Sequence, residues 1–294
     1  MVPLPQFTSD SELLKYIFDL GSSPPPLLYH YTSQEGLLGI LKDKSLRMSS
    51  IFHLSDAAEF SYAIQMAQTT LTMKWARETG PLLKLYDGLL DAISVLESFA
   101  QMSLYVCSFS GAGDLLSQWR AYTPNGIGYS IGFEASFLKQ RAQAQGFGLA
   151  PCIYDVDFQR SLVEKLLNLI AVSYEEGKDD VMDGLKFRFS SVLLRLAPLF
   201  KDPSFKEEME WRVISQVNRS SAATAEFRPG KSTLIPFQRF DLRDENQKIR
   251  IGQVYVGPNP HLKLSVGTTR FLFACKEVSG LRQVESSSTP YRSW

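Results

Sequence analysis

Two stretches of this chain bring together residue types that chemistry uses. Glu208-Met209-Glu210-Trp211-Arg212-Val213 reads with period two as a strand, setting Glu208, Glu210 and Arg212 on one face and Met209, Trp211 and Val213 on the other, toward the core. Carboxylates so arranged can stabilise a developing positive charge, although a solvated edge strand of paired charges has the same pattern. Far upstream, Tyr29-His30-Tyr31-Thr32 places a histidine in an apolar strand that leads straight into a helix N-terminus, where backbone N–H groups converge on polar or anionic ligand groups. A histidine satisfied inside the core is the plainer explanation. Trp119 and Tyr122, three apart on a helix, share a face; core packing is the default there and a stacking surface for a flat ring the rival.

Other motifs weigh less. Gly128-Tyr-Ser130-Ile-Gly132 has the letters of a nucleophile elbow, but turn formers precede Ser130 and strand formers surround it, so Ser130 is expected in mid-strand, with His261 the one late histidine to complete a triad. Gly126-Ile-Gly128 and Gly111-Ala-Gly113 do not continue as a dinucleotide fingerprint and read as turn glycines. Asp155-Val-Asp157 resembles a metal-binding pair, yet alternation through Cys152–Phe158 puts both on the solvent face of a strand. Cys107, Cys152 and Cys275 form no C-x-x-C pair, and His30, His53 and His261 have no ligand spacing, so no metal site is indicated.

The elements that must hold these residues alternate irregularly. A helix over 9–20 precedes the His30 strand; a short helix with Leu37, Leu38, Ile40 and Leu41, capped by Thr32 or Ser33, leads to a strand at Leu46–Ile51. Helices follow over 56–78, capped by Ser55 or Asp56, and 82–101, then a strand at Leu104–Phe109 and the Trp119 helix. After a turn at Pro124-Asn125-Gly126 come a strand at 128–133, a helix at 134–145, and a largely helical stretch over 159–200. Strands at 208–216, 231–240, 249–256 and 270–278 fill the last third. This irregular mixture predicts an α+β fold, one domain over 1–294 with helical insertions at about 56–101 and 159–206.

With 44% hydrophobic residues and 31 basic against 31 acidic side chains, the chain can bury a sizeable core and has no overall field to draw in nucleic acid. The first residues lack a signal peptide's basic start and apolar run, and no stretch approaches the roughly 18 apolar residues of a membrane span. A cytoplasmic location without membrane partners is expected.

The ordered segments Tyr-His-Tyr-Thr-Ser with Gly-Leu-Leu-Gly-Ile-Leu, Leu-Arg-Met-Ser-Ser-Ile with Ser-Asp-Ala-Ala-Glu, Cys-Ser-Phe-Ser with Ser-Gln-Trp-Arg-Ala-Tyr, Glu-Met-Glu-Trp-Arg, Tyr-Val-Gly-Pro and Ser-Thr-Pro-Tyr-Arg resemble the bacterial domain of unknown function 2971 family across nearly the whole chain. Ser55 stands where that family usually has asparagine. A first-strand histidine with an aromatic and a threonine, joined to a late E-x-E strand, is also similar to mono-ADP-ribosyltransferases. That resemblance implies two small sheets around an NAD cleft, with His30, Tyr31 and Thr32 on the cofactor, Glu210 as catalytic glutamate and Glu208 toward the acceptor. Arg47, Trp119 and Tyr122 join the NAD contacts by proximity to these motifs. The implied function is NAD-dependent transfer of ADP-ribose to a protein or nucleic acid, or NAD hydrolysis, in a toxin or anti-phage effector, with no metal needed. A module of the same fold that has lost catalysis is the alternative, and a nuclease or serine hydrolase a more distant one.

Overall fold

The computed structural model describes residues 4–20, 23–53, 58–123, 127–174, 179–216, 225–230, 232–276 and 278–290. The chain runs α1 (Asp10–Asp19), β1 (Leu27–Thr32), α2 (Gln34–Asp43), β2 (Ser45–Ser50), α3 (Ala58–Trp75), α4 (Leu82–Ser103), β3 (Tyr105–Ser110), α5 (Leu116–Tyr122), β4 (Tyr129–Glu134), α6 (Ala135–Ala144), β5 (Gly148–Pro151), α7 (Val156–Val172), α8 (Asp179–Leu196), β6 (Glu210–Ile214), β7 (Glu226–Pro229), β8 (Leu234–Asp241), β9 (Ile249–Arg250), β10 (Gln253–Val256), α9 (Leu262–Cys275), β11 (Val278–Ser279) and β12 (Gln283–Ser286). The caps expected at Ser55 or Asp56, the turn at Pro124–Gly126 and the final Tyr-Arg of the last motif lie outside the described residues.

Ten strands hydrogen-bond into one sheet, β12-β10-β4-β1-β3-β2-β8-β7, with β6 joined to β3 and β5 to β6. All its pairings are antiparallel except β10 with β12. The mixed, mostly antiparallel arrangement agrees with the α+β reading. In place of the two small sheets that were expected stands one ten-stranded sheet that branches at β3. β6 runs along one edge of β3 from Val106 to Ser110, so β1, opposite Ser110, and β2, opposite Val106 and Tyr105, share the other edge. No strand pairs with Cys107–Phe109 on that edge among the described residues, and the sheet opens there.

Alternation along the central strands feeds two cores. Leu104, Val106 and Ile214 join a helical core with α1, α3, α4, α7 and α8, while Tyr105, Cys107, Phe109, Trp211 and Val213 join a second core that includes residues of α2, α6 and α9. The helices α3 and α4 pack with α7 and α8 although about 50 residues and three strands separate the two pairs. Both insertions thus form one layer. Ser9, Ser33 and Asp155 cap α1, α2 and α7 by accepting from Glu12, Gly36 and Phe158 N–H groups.

Three expectations fail locally. The strand through Cys152–Phe158 stops at a bridge from Ile153 to Phe200, because Asp155 caps α7; Asp157 is in its first turn, paired with Arg160 at 3.0 Å. The strand at 270–278 is the end of α9: Leu262, Val266, Thr269 and Phe273 share a helical face toward the second core, which outweighs the β-forming Arg-Phe-Leu-Phe run. Glu208 closes a 3-10 turn (Pro203–Glu208) and Met209 has φ 44, so neither is on β6, and Met209 is exposed rather than in the core.

Candidate functional site

A cavity of about 640 Å³ opens where the sheet divides, bounded by β1, α2, β2, the free edge of β3, α5 and the start of β6. His30, Tyr31, Thr32, Arg47, Tyr122, Glu208 and Glu210 all line it. Trp119 does not: it is fully buried, edge-on to the Tyr31 ring at 4.8 Å, and its Nε1–H donates to Asp114 at 2.7 Å. Trp119 therefore supports the wall from behind, and core packing is its use.

His30 fills the gap that β1 and β2 leave along β3. Its Nδ1–H donates to the Ser108 carbonyl at 3.1 Å, which fixes the tautomer and leaves the Nε2 lone pair as acceptor. Burial lowers the imidazole pKa from its ordinary value, opposed in part by this hydrogen bond, so the ring is neutral at physiological pH. Cys107 Sγ lies 4.0 Å from the same nitrogen, but burial, with Glu210 adding to it, pushes the thiol well above its usual range. The contact is not a thiolate–imidazolium dyad.

The flanking residues of β1 are fixed in turn. Tyr31 Oη donates to the Ala112 carbonyl at 2.8 Å and accepts from Leu115 N–H at 2.9 Å, holding the loop that opens α5. Thr32 rests on Gly36 so closely that a Cβ there would stand 1.9 Å from Thr32 Oγ1. Ser130 lies in mid-strand in β4, between β1 and β10, with no strand-to-helix turn of the kind a nucleophile elbow needs.

At the β6 end, Glu208 and Glu210 meet although a backbone kink separates them. Both accept from Lys201 Nζ, at 2.6 and 2.5 Å, and Lys201 has no exposed surface. Arg212 donates from Nε to Glu210 Oε1 at 2.7 Å, from Nη2 to Oε2 at 3.0 Å, and from Nη1 to the Pro198 carbonyl at 2.7 Å. Two acids and two bases thus cancel in a buried network, not on a solvated edge. Burial would raise the Glu210 carboxyl, but Arg212 and Lys201 together outweigh it and hold the pKa at about 2. Lys201 escaped sequence reasoning; its signal was a lone lysine after the apolar run Leu196-Ala-Pro-Leu-Phe200.

Gln118 was also missed. It lies on α5 one turn before Tyr122, lines the cavity at 6% exposure, and its amide makes no hydrogen bond among the described residues. Its free donor and acceptor open toward whatever occupies the space. Among the described residues no group of three or more His, Cys, Asp or Glu is placed to hold a metal ion, and no helix is long and apolar enough to cross a membrane.

No curated protein and no solved structure matches the chain. A family model described as "Protein of unknown function (DUF2971)" matches residues 118–213, a span that holds Gln118, Tyr122, Lys201, Glu208 and Glu210 but not His30, Thr32 or Arg47. The match is narrower than the ordered motifs suggest and supports the same resemblance: over residues 118–213 the chain is similar to this family of unknown function.

Proposed function

We propose that the cavity binds NAD and that the protein cleaves the nicotinamide–ribose bond, as an ADP-ribosyltransferase or NAD glycohydrolase. The carrying observation is that His30 and Glu210, from strands far apart in sequence, line one cavity at the division of the sheet. Neutral His30 offers Nε2 to a ribose hydroxyl or the carboxamide N–H. Glu210 receives three hydrogen bonds from Arg212 and Lys201, so of roughly four acceptor sites on a carboxylate one remains, on Oε1, for a ribose hydroxyl. As the C–N bond breaks, its electron pair leaves with nicotinamide and the ribose becomes oxocarbenium-like, which an ionised carboxylate stabilises. Water, or a protein or nucleic-acid nucleophile, then forms the new bond and loses its proton. Glu208 is assigned to the acceptor side, and a toxin or anti-phage effector is the setting this chemistry suits.

One observation favours a second reading, a nucleotide-binding module without turnover: Lys201 and Arg212 cancel the charge that catalysis would use. Incubating the pure protein with labelled NAD and bacterial lysate separates the two. Nicotinamide release, with or without label transfer, is the expected result, and a folded Glu210→Gln variant should lose about a hundredfold or more in turnover with less effect on binding. Bound NAD without release identifies the module, and no thermal shift at millimolar NAD overturns both readings.

A further inference from the structure

Three guanidiniums share one face of the β2–β8–β7 limb: Arg47, Arg239 directly opposite it, and Arg228 one strand further out. They face two carboxylates, Asp43 and Glu226, and Arg239 holds both, at 2.8 and 2.6 Å. Arg47 keeps a loose contact with Asp43 at 3.8 Å and lies over the Phe237 ring at 5.2 Å. Arg228 has no carboxylate within salt-bridge distance among the described residues, and its one side-chain hydrogen bond is to the neutral Ser49 Oγ at 3.2 Å. Burial and the repulsion of Arg47 both disfavour its charge. Both Arg47 and Arg228 line the cavity that holds His30 and Glu210.

A partly buried guanidinium pressed beside another, without a carboxylate, is costly unless an anion completes it, and the planar fork of arginine matches phosphate oxygens. We infer that Arg228, held by Ser49, and Arg47 form the phosphate-binding end of the cavity, for a ligand carrying a phosphate or diphosphate group. Ser49 pairs with Val106 on β3, two residues along from the Ser108 that pairs with Arg212. Strand spacing and rise put the Ser49 and Arg212 Cα atoms about 12 Å apart. With its ends at this spacing, a ligand that engages both is extended, phosphate toward Arg228 and its other end toward Glu210. The orientation rests on the NAD reading; the anion site rests on its own residues.

Titration of the intact protein with inorganic pyrophosphate at low ionic strength, against sodium chloride at matched ionic strength, tests the site. Pyrophosphate should raise the melting temperature where chloride does not. Arg228→Gln, which relieves the repulsion with Arg47, should be at least as stable without ligand yet bind pyrophosphate about tenfold more weakly or worse, the scale of one charge-assisted contact. Arg228→Lys should recover part of that loss, and Arg47→Gln should weaken binding as well. Equal pyrophosphate affinity in Arg228→Gln and wild type overturns the inference, as does an absent shift in wild type or a variant destabilised without ligand. Pyrophosphate binding without NAD binding would refute the NAD reading and leave the anion site standing; NAD binding untouched by Arg228→Gln would leave the NAD reading standing and overturn the orientation that places its phosphates at Arg228.

Discussion

Replacing Glu210 by glutamine removes one of the two negative charges that neutralise buried Lys201 and Arg212, and whichever way the new amide turns, its N–H₂ meets another donor. The cost can be sized in two ways. Arg212 and Lys201 hold the carboxyl at about 2 in the folded chain against an ordinary 4.5, which at roughly 1.4 kcal/mol per pH unit amounts to about 3 kcal/mol of stability at neutral pH. Deleting one partner of a buried ion pair costs about 3–5 kcal/mol in general, so the two agree. Because the folded pKa is the lower one, this stability is fully present above 4.5 and is lost as pH falls through about 2. Urea unfolding of wild type and Glu210→Gln at neutral pH and again near about pH 3 should therefore show a gap of about 3 kcal/mol that narrows in acid. A gap within about 1 kcal/mol at neutral pH, the size of an exposed pair, would refute the buried network.

Other substitutions separate the wall of the cavity from its lining. Trp119→Phe should leave NAD affinity unchanged in titration calorimetry, because Trp119 stands behind Tyr31, while Gln118→Leu should weaken it about tenfold, the scale of a ligand hydrogen bond; the opposite ranking would reverse their assignments. Gly36→Ala must displace Thr32 and should cost about 1 kcal/mol or more despite alanine's better helix propensity, whereas at Gly39, where a Cβ meets nothing within 4 Å, the same change should stabilise by up to about 1 kcal/mol. Asp114 accepts from Trp119 Nε1, the hydroxyls of Ser287, Ser288 and Thr289 and the Ser288 N–H, so Asp114→Ala should lose about 2 kcal/mol or more in urea unfolding. An unchanged midpoint would mean that this tie carries no stability.

The parts of the site legible in the sequence are those whose local pattern and tertiary setting agree. Leu27–Thr32 is a strand because apolar and β-forming aromatic residues are concentrated there, and Ser33 then caps a helix where a capping residue was expected. Glu208 and Glu210 were correctly brought together but for the wrong reason. Period two would join them on one strand face, whereas a left-handed Met209 breaks the strand and Lys201, from the turn before, draws the carboxylates together. Nothing local marks β5, which ends in Pro151, or β7, a four-residue edge strand ending in Pro229, since each exists through the partner it finds. Arg228 was invisible for that reason: its approach to Ser49 depends on pairings between residues about 180 apart.

The strand β3 takes partners near residues 29, 49 and 210, so the wall of the cavity closes only when segments on both sides of it have been drawn in across long loops. The helical hairpins can gain contacts early at little cost in chain entropy, but the sheet limbs cannot. Folding time should accordingly be set by the assembly of the cavity, and conditions that slow strand docking should leave chains that have acquired helix without yet acquiring a binding site.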